Sequence, residues 1–279
     1  MSQLFLSGTQ IEIVRQIERG RLKHAIFDFD GTVSLLREGW QQVMAPVMME
    51  AICGEEPITP GIEKEVWDLI EETTGINTIL QMEHLVELVK KKGLIAPGDI
   101  LDAYGYKAIY NERLMVSVNE RIKRLAAGQT KVEDVIVKGS LDFVKALYDR
   151  GLTLYLASGT DHDDVQNEAT LTGAAQYFKG GIYGALRTFA ESNKDKVIKE
   201  IIAKNDLHGS EVIVCGDGPV EIMNAKSNGC IALGVASDEV KGFGWNMHKR
   251  DKLVGVGADL MVCDFAEWDK LVDYLFTTN

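Results

Sequence analysis

Five short apolar runs, rich in β-branched residues and separated by helical periodicity, constrain this chain more than any other feature. Residues 24–27 (HAIF) run into Asp28-Phe29-Asp30-Gly31. Residues 152–157 (LTLYLA) run into Ser158-Gly159, and residues 211–215 (EVIVC) run into Gly216-Asp217-Gly218. Residues 230–235 (CIALGV) and 259–263 (DLMVC) complete the set. Helical patterns lie between them: Leu141, Val144, Leu147 and Tyr148, closed by Gly151; Val197, Ile198, Ile201 and Ile202; Ile222 and Ala225, closed by Gly229. Runs that are apolar throughout, rather than alternating, predict strands of a parallel sheet covered by helices on both faces. Ahead of the first run, Ile11, Val14 and Ile17 are spaced as on a helix, and a short leading helix is expected over residues 9–19.

Residues 36 to about 133 carry a different pattern. They hold no convincing strand. Trp40, Val43, Met44, Val47, Ala51 and Ile52 form one helical stripe, Ile79, Leu80, Val86 and Val89 suggest a second, and a long pattern runs from Ile100 to Leu125. The methionines Met44, Met48 and Met49 read as core packing. The expected organisation is a core from residues 1–35 and 134–279, interrupted by an all-helical domain over 36–133.

Composition narrows the function. The chain is 46% hydrophobic and 26% charged, with a formal net charge of -12. An acidic chain whose longest basic run is Lys90-Lys91-Lys92 is not expected to bind nucleic acid through a broad basic surface. Its field also repels phosphorylated substrates, so any such site needs a metal ion and a few local cations. Cys53, Cys215, Cys230 and Cys263 form no CxxC pair, which argues against zinc. Cys215 and Cys263 sit in apolar strands as small buried hydrophobes and suggest a reducing compartment. No apolar stretch approaches the roughly 18 residues of a membrane span, and a cytoplasmic protein is expected.

Ligands of open parallel sheets bind at the carboxyl ends of the strands. Here those ends carry Asp28 and Asp30, Ser158, and Asp217. At a strand end, the second of two carboxylates spaced i, i+2 can curl over the first. Asp28 can then attack phosphorus in line, while Asp30 protonates the leaving oxygen and later activates water. Gly31 permits the sharp turn, and the Thr32 hydroxyl or amide can bind phosphate oxygen. Ser158 and Gly159 can hold phosphate, Lys194 before its helix can neutralise it, and Asp217 is a good Mg²⁺ position.

Taken in order, these segments resemble the haloacid dehalogenase superfamily along the whole chain. Asp28-Phe-Asp30-Gly-Thr32 is similar to its first motif, Leu156-Ala-Ser158-Gly159 to its second, and Lys194 with the following helix to its third. Gly216-Asp217-Gly-Pro-Val-Glu221 is similar to its fourth. The resemblance implies a Rossmann-like parallel sheet with a helical cap. It implies Asp28 as nucleophile and metal ligand, and Asp30 as acid and base, ligating Mg²⁺ through its backbone carbonyl. Ser158 and Gly159 would hold the phosphoryl group, Lys194 would bridge it to the nucleophile, and Asp217 would ligate Mg²⁺. Glu221, where Asp is more usual, would support the metal site from behind.

Asp30 favours the phosphatase and phosphomutase branches over dehalogenases, which lack it. Hydrolysis of a small phosphorylated metabolite is the expected activity, with a sugar-phosphate mutase as the alternative. The stretch from Val33 to Trp40 departs from the acidic-serine continuation of many capped relatives. Arg37, Glu38 and Trp40 therefore stand as candidate substrate contacts, though Trp40 reads better as core. Thr74 and Asn77 are further candidates, in a segment where relatives carry a specificity loop. Asp161 and His162 read as helix-capping residues.

Overall fold

The computed structural model describes residues 4–185 and 194–278. Among these residues, seven strands form one sheet in the order β1-β7-β6-β5-β2-β3-β4. They are β1 (Glu12–Ile13), β2 (His24–Phe27), β3 (Thr153–Asp161), β4 (Gly181–Ala185), β5 (Val212–Gly216), β6 (Ile231–Val235) and β7 (Leu260–Val262). All neighbours are parallel except β1 against β7. The chain leaves β2 for β3 on one side and returns for β5 on the other. The point where connections diverge, which in open sheets forms the binding crevice, therefore falls at the end of β2.

Strand periodicity explains the two covered faces. Ala25, Phe27, Leu154, Leu156, Ile213 and Cys215 point into one core, beneath α5 (Ser140–Asp149), α6 (His162–Leu171) and α10 (Trp268–Phe276). Ile26, Tyr155, Ala157, Val212 and Val214 point into the other. That side is covered by α7 (Lys194–Lys204), α8 (Pro219–Ser227) and α9 (Met247–Gly255). All four cysteines are buried and unbridged.

Between β2 and β3, four helices build a separate hydrophobic cluster: α1 (Trp40–Cys53), α2 (Pro60–Glu72), α3 (Thr78–Lys92) and α4 (Ala103–Ala126). Met44, Met48, Met82, Leu85 and Val118 are fully buried in it. α2, which periodicity alone does not announce, starts where Thr59 accepts the Ile62 amide and Pro60 takes the first helical position. Among the described residues, no helix is long and apolar enough to cross a membrane.

Two expectations need correction. Residues 9–19 are not a helix. The exposed edge of β7 offers unpaired backbone, and Glu12 and Ile13 pair with Met261 and Leu260. Glu12, buried there, is held by Arg250 Nε at 2.9 Å. Tertiary pairing overrides the helix-like spacing of Ile11, Val14 and Ile17, and Ile11 and Ile13 are good strand formers. Strand β4 also escaped the pattern because two of its five residues are glycine. Just ahead of it, a Cβ on Gly180 would lie 2.4 Å from the Tyr155 ring, so glycine is required where the chain enters the edge.

Candidate active site

The ladder around β2 brings the acidic residues together. Phe27 is level with Leu156 on β3 and Cys215 on β5, so Asp28, Ser158 and Asp217 leave three adjacent strands at one end of the sheet. The Asp28 amide donates to the Cys215 carbonyl at 2.9 Å, which holds the Asp28 backbone against β5. Beyond it the chain turns sharply, with the Val33 and Ser34 amides both donating to the Phe29 carbonyl at 2.8 Å. Gly31 serves this turn twice. Its φ of 75° lies in the left-handed region, and a Cβ there would come 2.2 Å from Asp217 Oδ2.

Asp30 is fixed by two hydroxyls. Thr160 donates to its Oδ2 at 2.8 Å and Ser158 at 3.2 Å, while Oδ1 is buried with no hydrogen-bond partner. Thr160 was not singled out from sequence, although it lies two residues past Ser158, on the same face of the strand.

A half-open cavity of about 80 Å³ lies over these groups. Asp28, Asp30, Gly159, Thr160 and Asp217 form its floor, and Arg37, Trp40, Thr74, Gln81, Tyr110 and Leu114 form much of its roof. The loop between α2 and α3 presses on the sheet end. A Cβ on Gly159 would meet the Ile76 carbonyl at 2.7 Å, and one on Gly75, whose φ is 94°, would meet Glu221 Oε2 at 2.5 Å. Glu221 itself is buried in the first turn of α8, where Gly75, Gly216 and Gly218 leave it room.

Of the candidate substrate contacts, Arg37 and Thr74 reach this cavity and so does Trp40, which is half-buried at the edge of the insertion's core. Arg37 is buried and forked onto α6. Its Nε donates to both Glu168 oxygens at 3.0 and 3.2 Å, and its Nη2 donates to Glu168 at 2.6 Å and Asp164 at 3.0 Å. Burial raises the Glu168 carboxyl to about 7, with the Arg37 charge opposing that shift.

Glu38 turns away from the cavity, its carboxylate bonded to Arg121 at 2.8 Å. The Asn77 side chain caps α3 by accepting the Ile79 amide at 3.1 Å. Thr32 is fully buried behind the turn, its amide aimed at the Phe29 carbonyl, and it does not line the cavity. Lys194 opens α7, and its side chain lies outside the described residues. Asp161 precedes α6 without capping it through its side chain; it pairs with Lys107 of α4 instead, joining sheet to insertion.

Sequence reasoning missed a further segment. After β6, Ser237 is buried and its hydroxyl reaches the Gly31 carbonyl at 3.4 Å. Lys249, in the first turn of α9, places Nζ 2.8 Å from Asp217 Oδ2 and 2.6 Å from Glu239 Oε1. Burial alone would lower the Lys249 pKa, but the two carboxylates reverse this and raise it. Glu239 is raised by burial, against the pull of Lys249.

Among the described residues, no group of three or more His, Cys, Asp or Glu side chains converges as a metal cage. The Asp30 carboxylate is turned to Ser158 and Thr160. That leaves the carboxylates of Asp28 and Asp217, and an all-oxygen set of one or two carboxylates suits Mg²⁺, which keeps several waters and shares substrate phosphate oxygens. The donors present therefore fit such an ion.

No curated protein matches the chain. Solved structures do resemble it at low identity. One is a predicted phosphoglycolate phosphatase from Haemophilus somnus, with 17% identity and a TM-score of 0.58, covering 90% of this chain and 98% of that one. A predicted phosphatase from Clostridium acetobutylicum has 15% identity and a TM-score of 0.58, covering 92% and 100%. A beta-phosphoglucomutase from Clostridium difficile has 13% identity and a TM-score of 0.60, covering 91% and 97%. At these identities the likeness speaks for the fold. The family model of haloacid dehalogenase-like hydrolases matches residues 22–229, from just ahead of β2 to just past α8. With most of the chain matched, this protein belongs to the haloacid dehalogenase-like hydrolase family.

Proposed function

We propose that the chain is a Mg²⁺-dependent phosphatase that hydrolyses a small phosphomonoester through an aspartyl-phosphate on Asp28. The observation that carries this reading is the state of Asp30. Two hydroxyls hold one oxygen, the other is buried with no hydrogen-bond partner, and Asp30 lines the cavity. A carboxyl held in this way has one oxygen to exchange a proton with bound substrate.

In this mechanism an Asp28 oxygen attacks phosphorus as the bond from phosphorus to the ester oxygen breaks. Asp30 Oδ1 delivers a proton to the departing alcohol. It then takes a proton from the water that attacks the aspartyl-phosphate, which releases phosphate and restores Asp28. Ser158 and Thr160 keep Asp30 in place through both halves, and the backbone at Gly159 lines the phosphoryl pocket. Lys194 balances charge on the phosphoryl oxygens. The Asp28 and Asp217 carboxylates and the Asp30 carbonyl, with Glu221 behind, would hold Mg²⁺, which would supply positive charge against those oxygens. The helices over 36–133 act as a cap. Closing this cap over bound substrate excludes bulk water. Arg37, Thr74, Gln81 and Tyr110 then select the group carrying the phosphate.

The test is phosphate release from a panel of small phosphomonoesters. Turnover should require Mg²⁺ and vanish in Asp28→Asn. Full activity in EDTA would refute the metal assignment. A phosphoenzyme stable in water that turns over only with a sugar bisphosphate would replace hydrolase by phosphomutase, the reaction named for the Clostridium difficile structure.

A further inference from the structure

Lys249 stands where a lysine is costly three times over. It is largely buried, with only 15% of its side chain exposed. It sits in the first turn of α9, where the helix dipole disfavours a cation. Its flexible stem is also immobilised. Nor does hydrophobic packing explain the position, since Leu253 is the buried residue of α9. The ammonium is compensated by Asp217 and Glu239. The backbone is prepared for this contact. Asn246 Oδ1 accepts the Lys249 amide at 3.0 Å, and the Asn246 amide donates to the Ala236 carbonyl at 2.8 Å, tying α9 to the end of β6.

We infer that Lys249 is the positioning residue of Asp217: by holding Oδ2 it presents a single carboxylate oxygen to the metal and so favours Mg²⁺ over Ca²⁺. The physical basis is the difference between the ions. Mg²⁺ demands near-ideal octahedral geometry, whereas Ca²⁺ accepts six to eight oxygens and two-oxygen carboxylate contacts. A carboxylate with one oxygen committed to a buried ammonium suits the first ion. Released, it suits the second as well. Glu239 holds the ammonium from the far side.

This inference rests on the metal site proposed above, and it is tested by calorimetric titration of the full chain with MgCl₂ and with CaCl₂, without substrate. Lys249→Met should weaken Mg²⁺ binding about 10- to 100-fold, the usual effect of losing a residue that orients a metal ligand, and should weaken Ca²⁺ binding far less. Lys249→Gln, which keeps one donor for Asp217, should lose less Mg²⁺ affinity and serves if the methionine variant does not fold. Unchanged Mg²⁺ affinity, an equal loss for both ions, or tighter Mg²⁺ binding would overturn the inference; tighter binding would mean that Lys249 competes with the metal. A wild-type chain that binds neither ion would remove the metal site itself, a different failure from that of Lys249.

Discussion

At the sheet end, Asp28, Ser158 and Asp217 hang from three neighbouring parallel strands, and ladder hydrogen bonds dictate their spacing. In the insertion, the residues that face them come from four separate places: Trp40 on α1, Thr74 in a loop, Gln81 on α3 and Tyr110 on α4. Helix packing, with side-chain hydrogen bonds from Thr74 to the Ile70 carbonyl and from Gln81 to Thr73, sets those positions. A site fixed by backbone pairing is rigid and readable along the chain, because each strand carries its functional residue at or near its carboxyl end. A site fixed by helix packing is adjustable, and its contributors are scattered among residues whose first duty is the core.

The largest expected effects lie at the sheet end. Asp28→Asn should lower turnover by at least about 10³-fold while leaving thermal stability near wild type, because it removes the nucleophile and keeps the shape. A variant that retained turnover would break the distinction at its root. Asp30→Asn should lower kcat by about 10²- to 10⁴-fold and let phosphoenzyme accumulate, as seen by rapid acid quench.

The insertion should answer differently. Leu85, fully buried among its helices, should cost about 2–5 kcal/mol of stability when changed to alanine, measured by urea unfolding, with kcat disturbed far less. The contact between the two regions offers a sharper probe. Gly75→Ala forces a side chain into a left-handed turn and against Glu221. It should lower kcat/KM about tenfold, near 1.4 kcal/mol, by lifting the loop off the site.

The smallest effect concerns Arg37, where sheet and insertion meet. Glu168 titrates near 7 in the folded chain, against 4.5 for a free carboxyl. The folded state therefore holds this proton more tightly than the unfolded chain. The stabilisation is complete below pH 4.5 and is lost as pH rises through 7. Arg37, Asp164 and the field of Asp30 surround the group. Glu168→Gln should remove on the order of 1 kcal/mol of the stability lost between pH 5 and 8, read from denaturation midpoints.

Much of the core could be read in advance because buried parallel strands are apolar throughout and end abruptly in polar residues. That pattern marks β2, β3, β5, β6 and β7, and it assigns Asp28, Asp30, Ser158 and Asp217 to one end of the sheet from sequence alone. It failed at β1, where an edge strand follows from what β7 leaves unpaired, and at β4, where glycine erases the strand signal. Thr32 follows Asp30-Gly31 in sequence, yet the turn through Phe29 drives it into the core. Asn77 and Glu38 are polar residues in promising segments that local structure had already claimed, one as a helix cap and the other as a partner of Arg121. Lys249 carried no signal at all. A lysine in a polar helix reads as solvated, and only the fold around Ser237 and Asn246 brings it to Asp217.

The central claim is that Asp28 becomes phosphorylated. Acid quench of Asp30→Asn during turnover of an active phosphomonoester, followed by peptide mass spectrometry, tests it most directly. One phosphoryl group on the peptide carrying Asp28, absent from Asp28→Asn, is the predicted result. Phosphate on another residue, or steady turnover with no phosphopeptide, would contradict it.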